Sequence, residues 1–284
     1  MLAIALSTLK EAVRKKIILI IVCLTILYLV LFSIVINYSM SEMRRLNADS
    51  MAIMSDISGF ISILGFYFSS MITAFVTIMA SVGAVSSDIE SGIIHAVISK
   101  PITRKEYVLG KYLGIAAMAI GYSAFLYVFL VIINFVFDIP PLNAISLVYF
   151  AKGLALFCFE PLVLLSLCLL GSVCWKTMSN GIIVIGIYIL GMVGGMMEQI
   201  GFVVKLDGLV KWGILISFLS PFESIYRKMI SVIYSSSNFI GSTLAGPFFV
   251  SKNIPSVWMT VYTFVFWAGF ILLAVRRFNH KDIS

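Results

Sequence analysis

The sequence predicts an all-α polytopic membrane protein with six transmembrane helices. Three observations carry this. Hydrophobic residues make up 61% of the 284 and charged residues only 12%, with a mean hydropathy of +1.08, far more apolar than a soluble globular domain. Six apolar runs are long enough to span, since about 20 residues at a rise of about 1.5 Å each cross a bilayer core. What remains between the runs is short or broken, which leaves no room for a separate catalytic domain and makes 1–284 a single membrane unit.

Residues 1–16 place Leu2, Leu6, Leu9 and Val13 on one helical face, with Ser7, Lys10, Glu11 and Arg14 on the other. That pattern predicts an interfacial amphipathic helix. The spans are expected at 17–36, 57–85, 112–137, 150–171, 181–200 and 257–275. The first run is too long for a signal-peptide core and lacks a small-x-small site after it, so it reads as a span. Twelve Lys and Arg fall on one side, among them Lys10, Arg14, Lys100, Arg104, Lys105, Lys111, Lys176, Arg276, Arg277 and Lys281. Seven fall on the other, five of them (Lys205, Lys211, Arg227, Lys228 and Lys252) in a long loop where charge carries little orienting weight. The bias places both termini in the cytoplasm, with Asp49 and Asn238 outside.

The net charge of +7 fits these membrane flanks. No basic patch with interleaved aromatics points to nucleic acid. Cys23, Cys158, Cys168 and Cys174 lie in or beside apolar runs, at spacings that imply neither a disulfide framework nor a zinc site.

Lys152 and Glu160 interrupt the fourth span, and Pro161 removes a backbone donor within it, freeing the carbonyl of Phe157. Eight residues of helix separate Lys152 from Glu160 by about 12 Å and about 80°, so Glu160 needs another partner, such as Asn134 or Tyr188. It serves either a structural role or the substrate path. Gly191 with Gly195, and Gly110 with Gly114, form small-xxx-small pairs that suit close helix packing. Residues 201–256 are too broken to span: the apolar stretch 212–219 is short, Ser220-Pro221 interrupts it, and 222–234 is a second amphipathic piece.

The polar connector 86–111 carries two helix-start signals, Ser87 with Glu90 and Thr103 with Glu106, each a capping box. Pro101 cannot continue a helix and biases Lys100 away from helical dihedrals. A short amphipathic helix is therefore expected to stop near Ser99, with Ile89, Ile93, Ala96 and Val97 on its apolar side and Asp88, Glu90, Ser91, His95 and Ser99 around the rest. By itself this is also the pattern of a solvated loop joining two spans.

The run Asp88-Ile89-Glu90-Ser91-Gly92, followed by Lys100-Pro101 through Arg104 to Glu106 and then Gly110-Lys111, resembles the signature of ABC-2 type transporter permeases. The resemblance covers nearly the whole chain. It implies an elbow helix at 1–16, a cytoplasmic coupling segment at 86–111 that contacts the ATPase, and outer re-entrant helices within 201–256. ATPase coupling would then fall to Asp88, Ile89, Glu90, Gly92, Ile93, His95, Pro101 and Arg104. Ile93 departs from the family pattern, which has Thr there, so no hydroxyl role carries over. The run 219–227 is similar to permeases linked to copper-enzyme maturation, although Met192, Met196 and Met197, whose thioethers suit Cu(I), read first as adaptable packing.

No phosphate-cradling loop occurs: Gly110-Lys111 is followed by Tyr112, and Lys105 stands where the first glycine would be. The resemblance therefore implies ATP and Mg in a separate ATPase subunit, two of these with two permease chains, identical or closely related. No cofactor is expected on this chain itself. The implied setting is the cytoplasmic membrane of a prokaryote, and the implied activity is transport, with export expected. An intramembrane enzyme is disfavoured, since His95 and His280 are the chain's two histidines and no His-Glu-x-x-His or Gly-x-Ser-x-Gly is present. An ion-coupled transporter or channel using Glu160 is the alternative, against which stands the lack of an inverted repeat.

Overall fold

The structure is a computed structural model that describes residues 1–14, 16–45, 51–94, 102–139, 146–234 and 255–281. Every regular element among them is helical. The helices are α1 (Leu2–Arg14), α2 (Lys16–Arg45), α3 (Met51–Ser81), α4 (Ser86–Glu90), α5 (Arg104–Val136), α6 (Leu147–Cys174), α7 (Thr177–Val204), α8 (Asp207–Leu219), α9 (Phe222–Ile233) and α10 (Val257–Asn279).

Among the described residues, six helices are long and apolar enough to cross a membrane: α2, α3 with its continuation through α4, α5, α6, α7 and α10. The predicted spans are therefore found, each extended by three residues or more at one or both ends. At α5 the Thr103–Glu106 box starts a helix of 33 residues that runs on without a break into the third span. At about 1.5 Å per residue this helix is roughly 50 Å long, so one or both ends project beyond a hydrocarbon core of about 30 Å.

α6 sits at the centre, packed on α3, α5, α9 and α10, and its buried residues run almost unbroken from Phe157 to Val173. Pro161 lies inside it without ending it. Most side chains exposed on α2 and on one side of α5, such as Leu27, Leu31, Phe125 and Phe135, are apolar, as a lipid-facing surface requires.

The two small-residue pairs do what their spacing suggested, with partners no spacing could name. Gly110 and Gly114 receive α1: a Cβ on Gly114 would stand 2.6 Å from the Ala5 carbonyl oxygen. Thus α1 packs through Ile4, Ala5 and Thr8 and turns Leu2 and Leu6 outward. Gly191, Gly194 and Gly195 of α7 receive α8 and the start of α9, and Gly213 of α8 brings its backbone against that of Glu198. The hairpin of α7 and α8 is closed this way, after which the chain breaks at Ser220-Pro221 and α9 leaves at 105° to α8. The expected pair of amphipathic pieces after the fifth span is thus present as a bent helix pair.

The first and last turns segregate by end. α1, α4, the start of α5, the α6–α7 junction and the end of α10 gather at one end of the bundle, and the α7–α8 turn, α9 and the start of α10 at the other. Asp49 and Asn238 fall outside the described residues.

Candidate functional site

At the end bearing Arg104, six elements meet around one buried ion pair. Asp88 and Lys111 are both buried, with Lys111 Nζ 2.8 Å from Asp88 Oδ2 and 3.7 Å from Glu11 Oε2. The Tyr107 hydroxyl donates to the same Asp88 oxygen. Tyr107 in turn stacks on Phe278, ring centroids 5.7 Å apart, which ties α5 to the end of α10. Arg104 completes that tie: its Nη1 donates to the carbonyls of Asn279 at 3.1 Å and Lys281 at 2.9 Å, acceptors left open at the end of α10. Lys281 Nζ reaches the Val173 carbonyl at 2.6 Å and so brings in α6. Glu90 accepts from the Thr177 backbone N–H at 2.8 Å and its hydroxyl at 3.3 Å, acting as an acidic cap on α7, whose N-terminal residues lack internal acceptors.

This geometry corrects four expectations. The predicted capping box of Ser87 and Glu90 does not form, because α3 continues through a turn directly into α4 and leaves no open helix start there. The Ser87 N–H already donates to Gly83 O, the Ser87 hydroxyl donates back to the same carbonyl at 2.5 Å, and Glu90 turns away to α7. The helix expected to run to Ser99 is interrupted after Glu90 by Gly92, whose φ of +73° a residue with a Cβ adopts at a cost. Asp88, expected to display charge, is buried against Lys111. The apolar face also shifts: Ile94 is fully buried and Ile89 packs beside it, whereas Ile93 is 53% exposed. Of the predicted residues, the structure joins Asp88, Ile89, Glu90 and Arg104 to the fold and leaves Gly92 and Ile93 on the surface. His95 and Pro101 lie outside the described residues.

Glu160 is buried in α6, and its Oε1 accepts from the Ser70 hydroxyl of α3 at 2.5 Å. Tyr188 of α7 lies beside the same hydroxyl. Asn134, offered as a partner from sequence, is instead bonded to Ser62 and to the Leu130 carbonyl. Lys152 is exposed near the start of α6, its ammonium 5.8 Å from the centroid of the Tyr149 ring, and takes no part in the Glu160 site.

Sequence reading missed a second buried group. Glu223 and Arg227 of α9 are 9% and 4% exposed, and Arg227 Nη2 donates to Glu198 Oε2 of α7 at 2.7 Å. Their four-residue spacing beside Ser220-Pro221 was visible as an amphipathic pattern. That pattern does not say where the polar face points, and tertiary packing turned it inward.

Across nearly this whole arrangement, residues 2–283, the chain matches the family model described as ABC-2 family transporter protein. The chain belongs to that family. No curated protein matches it. As an ABC-2 transporter protein it is a multi-pass membrane subunit of an ABC transporter and not itself the catalytic one; the family implies an ABC ATPase partner and, typically, a dimeric arrangement. For an ABC-2 subunit, the junction around Asp88 and Lys111, the Glu160 site and the Glu198–Arg227 pair beside Glu223 are places where buried charge needs a structural explanation.

Proposed function

We propose that this chain is the permease of an ATP-driven exporter in the cytoplasmic membrane of a prokaryote. Both termini and the Arg104 end face the cytoplasm, and ATP with Mg is bound and hydrolysed by a separate subunit. Two permease chains, identical or closely related, and two ATPases make the transporter. The observation that carries this reading is the junction itself. Asp88, Lys111, Tyr107, Arg104 and Glu90 bind α1, α4, α5, α7 and α10 into one platform. Residues 91–93 stand on that platform as an exposed tip. A load applied at the tip is thereby passed to most of the bundle at once, which is what coupling to a remote ATPase requires.

Within this proposal the coupling residues divide by task. Gly92 and Ile93, with His95 beyond them, offer the contact surface, while Asp88, Ile89 and Arg104 hold the platform and Glu90 joins it to α7. Ile93→Asp is therefore expected to leave insertion and melting unchanged, since its side chain is exposed, and to abolish co-purification of the ATPase or transport-coupled hydrolysis. Wild-type coupling in that variant would overturn the docking assignment.

Orientation is tested separately. In a background lacking Cys23, Cys158, Cys168 and Cys174, a membrane-impermeant thiol reagent added to intact cells is expected to label Asp207→Cys, exposed at the start of α8, and to spare Ile93→Cys. The reverse pattern would invert the topology.

A further inference from the structure

At the end opposite the junction, α7, α8, α9 and the start of α10 enclose a chamber of about 310 Å³ that the coupling proposal does not use. That volume is within the range of small-molecule sites, at its lower end. Its polar wall is Glu198, Ser217 and Arg227, and its apolar wall includes Phe218, Trp258 and Tyr262. Arg227 is 4% exposed and Ser217 3%. Glu198 takes only Nη2 of the guanidinium; among the described residues, Nε and Nη1 of Arg227 and the Ser217 hydroxyl have no hydrogen-bond partner. Buried donors of this kind are costly unless something accepts from them, and all three belong to residues that line one cavity.

The apolar wall indicates what kind of molecule brings the acceptor. Phe218 and Trp258 are 47% and 81% exposed, so among the described residues the chamber opens beside exposed apolar side chains. Tyr262 locks that side by donating to the Phe218 carbonyl at 2.6 Å. In a membrane subunit such a surface meets lipid. Glu198 in contact with Arg227, and Glu223 one turn before it on α9, hold the local charge down, which disfavours a multiply charged anion, so what calls for an acceptor here is the set of open donors and not an excess of positive charge.

We propose that this chamber binds the phosphodiester headgroup of a membrane phospholipid, with Arg227 Nε and Nη1 and the Ser217 hydroxyl donating to its oxygens and the acyl chains lying along Phe218 and Trp258. The site rests on the chain's place in a membrane and not on the export proposal. The planar guanidinium fork matches the phosphodiester geometry, and burial makes each bond to it stronger than at a surface. A lipid held here pins α8 and α9 to the start of α10.

The test uses the delipidated protein in an alkyl glycoside detergent, titrated with a short-chain phosphatidylglycerol, with inorganic phosphate, or with more detergent, and followed by thermal unfolding and by native mass spectrometry. The expected result is one retained phospholipid and a saturable rise in melting temperature with the phospholipid alone. Ser217→Val, which leaves the Arg227–Glu198 pair intact, is expected to weaken that binding about tenfold, as for one lost hydrogen bond to a charged headgroup. Arg227→Lys, which keeps the charge and loses the fork, is expected to weaken it further. If inorganic phosphate stabilises as well as the phospholipid, the lipid assignment fails. If neither shifts the melting temperature, or Ser217→Val binds phospholipid like the wild type, the chamber holds water only and the proposal is overturned.

Discussion

Lys111→Met is expected to cost about 3 kcal/mol of stability, the largest loss from any single change at the junction. The methionine keeps the length of the side chain but leaves Asp88 buried with the Tyr107 hydroxyl as its remaining partner at that oxygen. An uncompensated buried charge costs about 3–5 kcal/mol, and the surviving hydrogen bond argues for the lower bound. Asp88→Leu alone strands the ammonium instead, although Glu11 at 3.7 Å offers partial compensation, so a smaller loss is expected. The double variant should be more stable than Lys111→Met, because removing both charges removes the desolvation cost along with the attraction. Thermal unfolding of the three variants in one detergent checks this. Additive losses would mean that the two side chains do not act as a pair.

The second large effect is expected at Glu160. Glu160→Leu removes the acceptor of the buried Ser70 hydroxyl, at a cost of about 1–3 kcal/mol. Glu160→Gln keeps a carbonyl oxygen where Oε1 stands and is expected to melt close to the wild type. Transport separates the two roles: near-normal export by the Gln variant indicates an α3–α6 clamp, whereas a stable Gln variant with altered export places Glu160 on the substrate path. Wild-type melting and export in Glu160→Leu would rule out both.

How far the chain could be read follows from the range of the interactions involved. The six spans, the start of α5 at Thr103 and the break at Ser220-Pro221 depend on windows of a few to some twenty residues. A bilayer-length apolar run and a Thr-x-x-Glu cap act locally, so they are legible in one dimension. The small-residue pairs were legible as surfaces too, since Gly110 and Gly114 leave space whatever fills it.

Where the reading failed, the deciding partner lies far along the chain. Ser87 and Glu90 have the capping pattern, but capping needs open backbone donors, and the turn from α3 had already satisfied the Ser87 N–H. Glu90 then found Thr177, and Arg104 found the carbonyls after α10, neither pairing being encoded near either residue. Asp88 looked like surface charge because nothing within its own helix neutralises it; Lys111 and Tyr107 do so only after α4 and α5 have packed. The same holds at the far end, where a four-residue Glu–Arg spacing on an amphipathic helix reads as a wet face until Glu198 arrives from α7. Local chemistry thus determined which segments are helices and that they span a membrane. Which charges are buried was decided only by the tertiary structure, because a buried charge is tolerable only where distant elements bring its compensation to it.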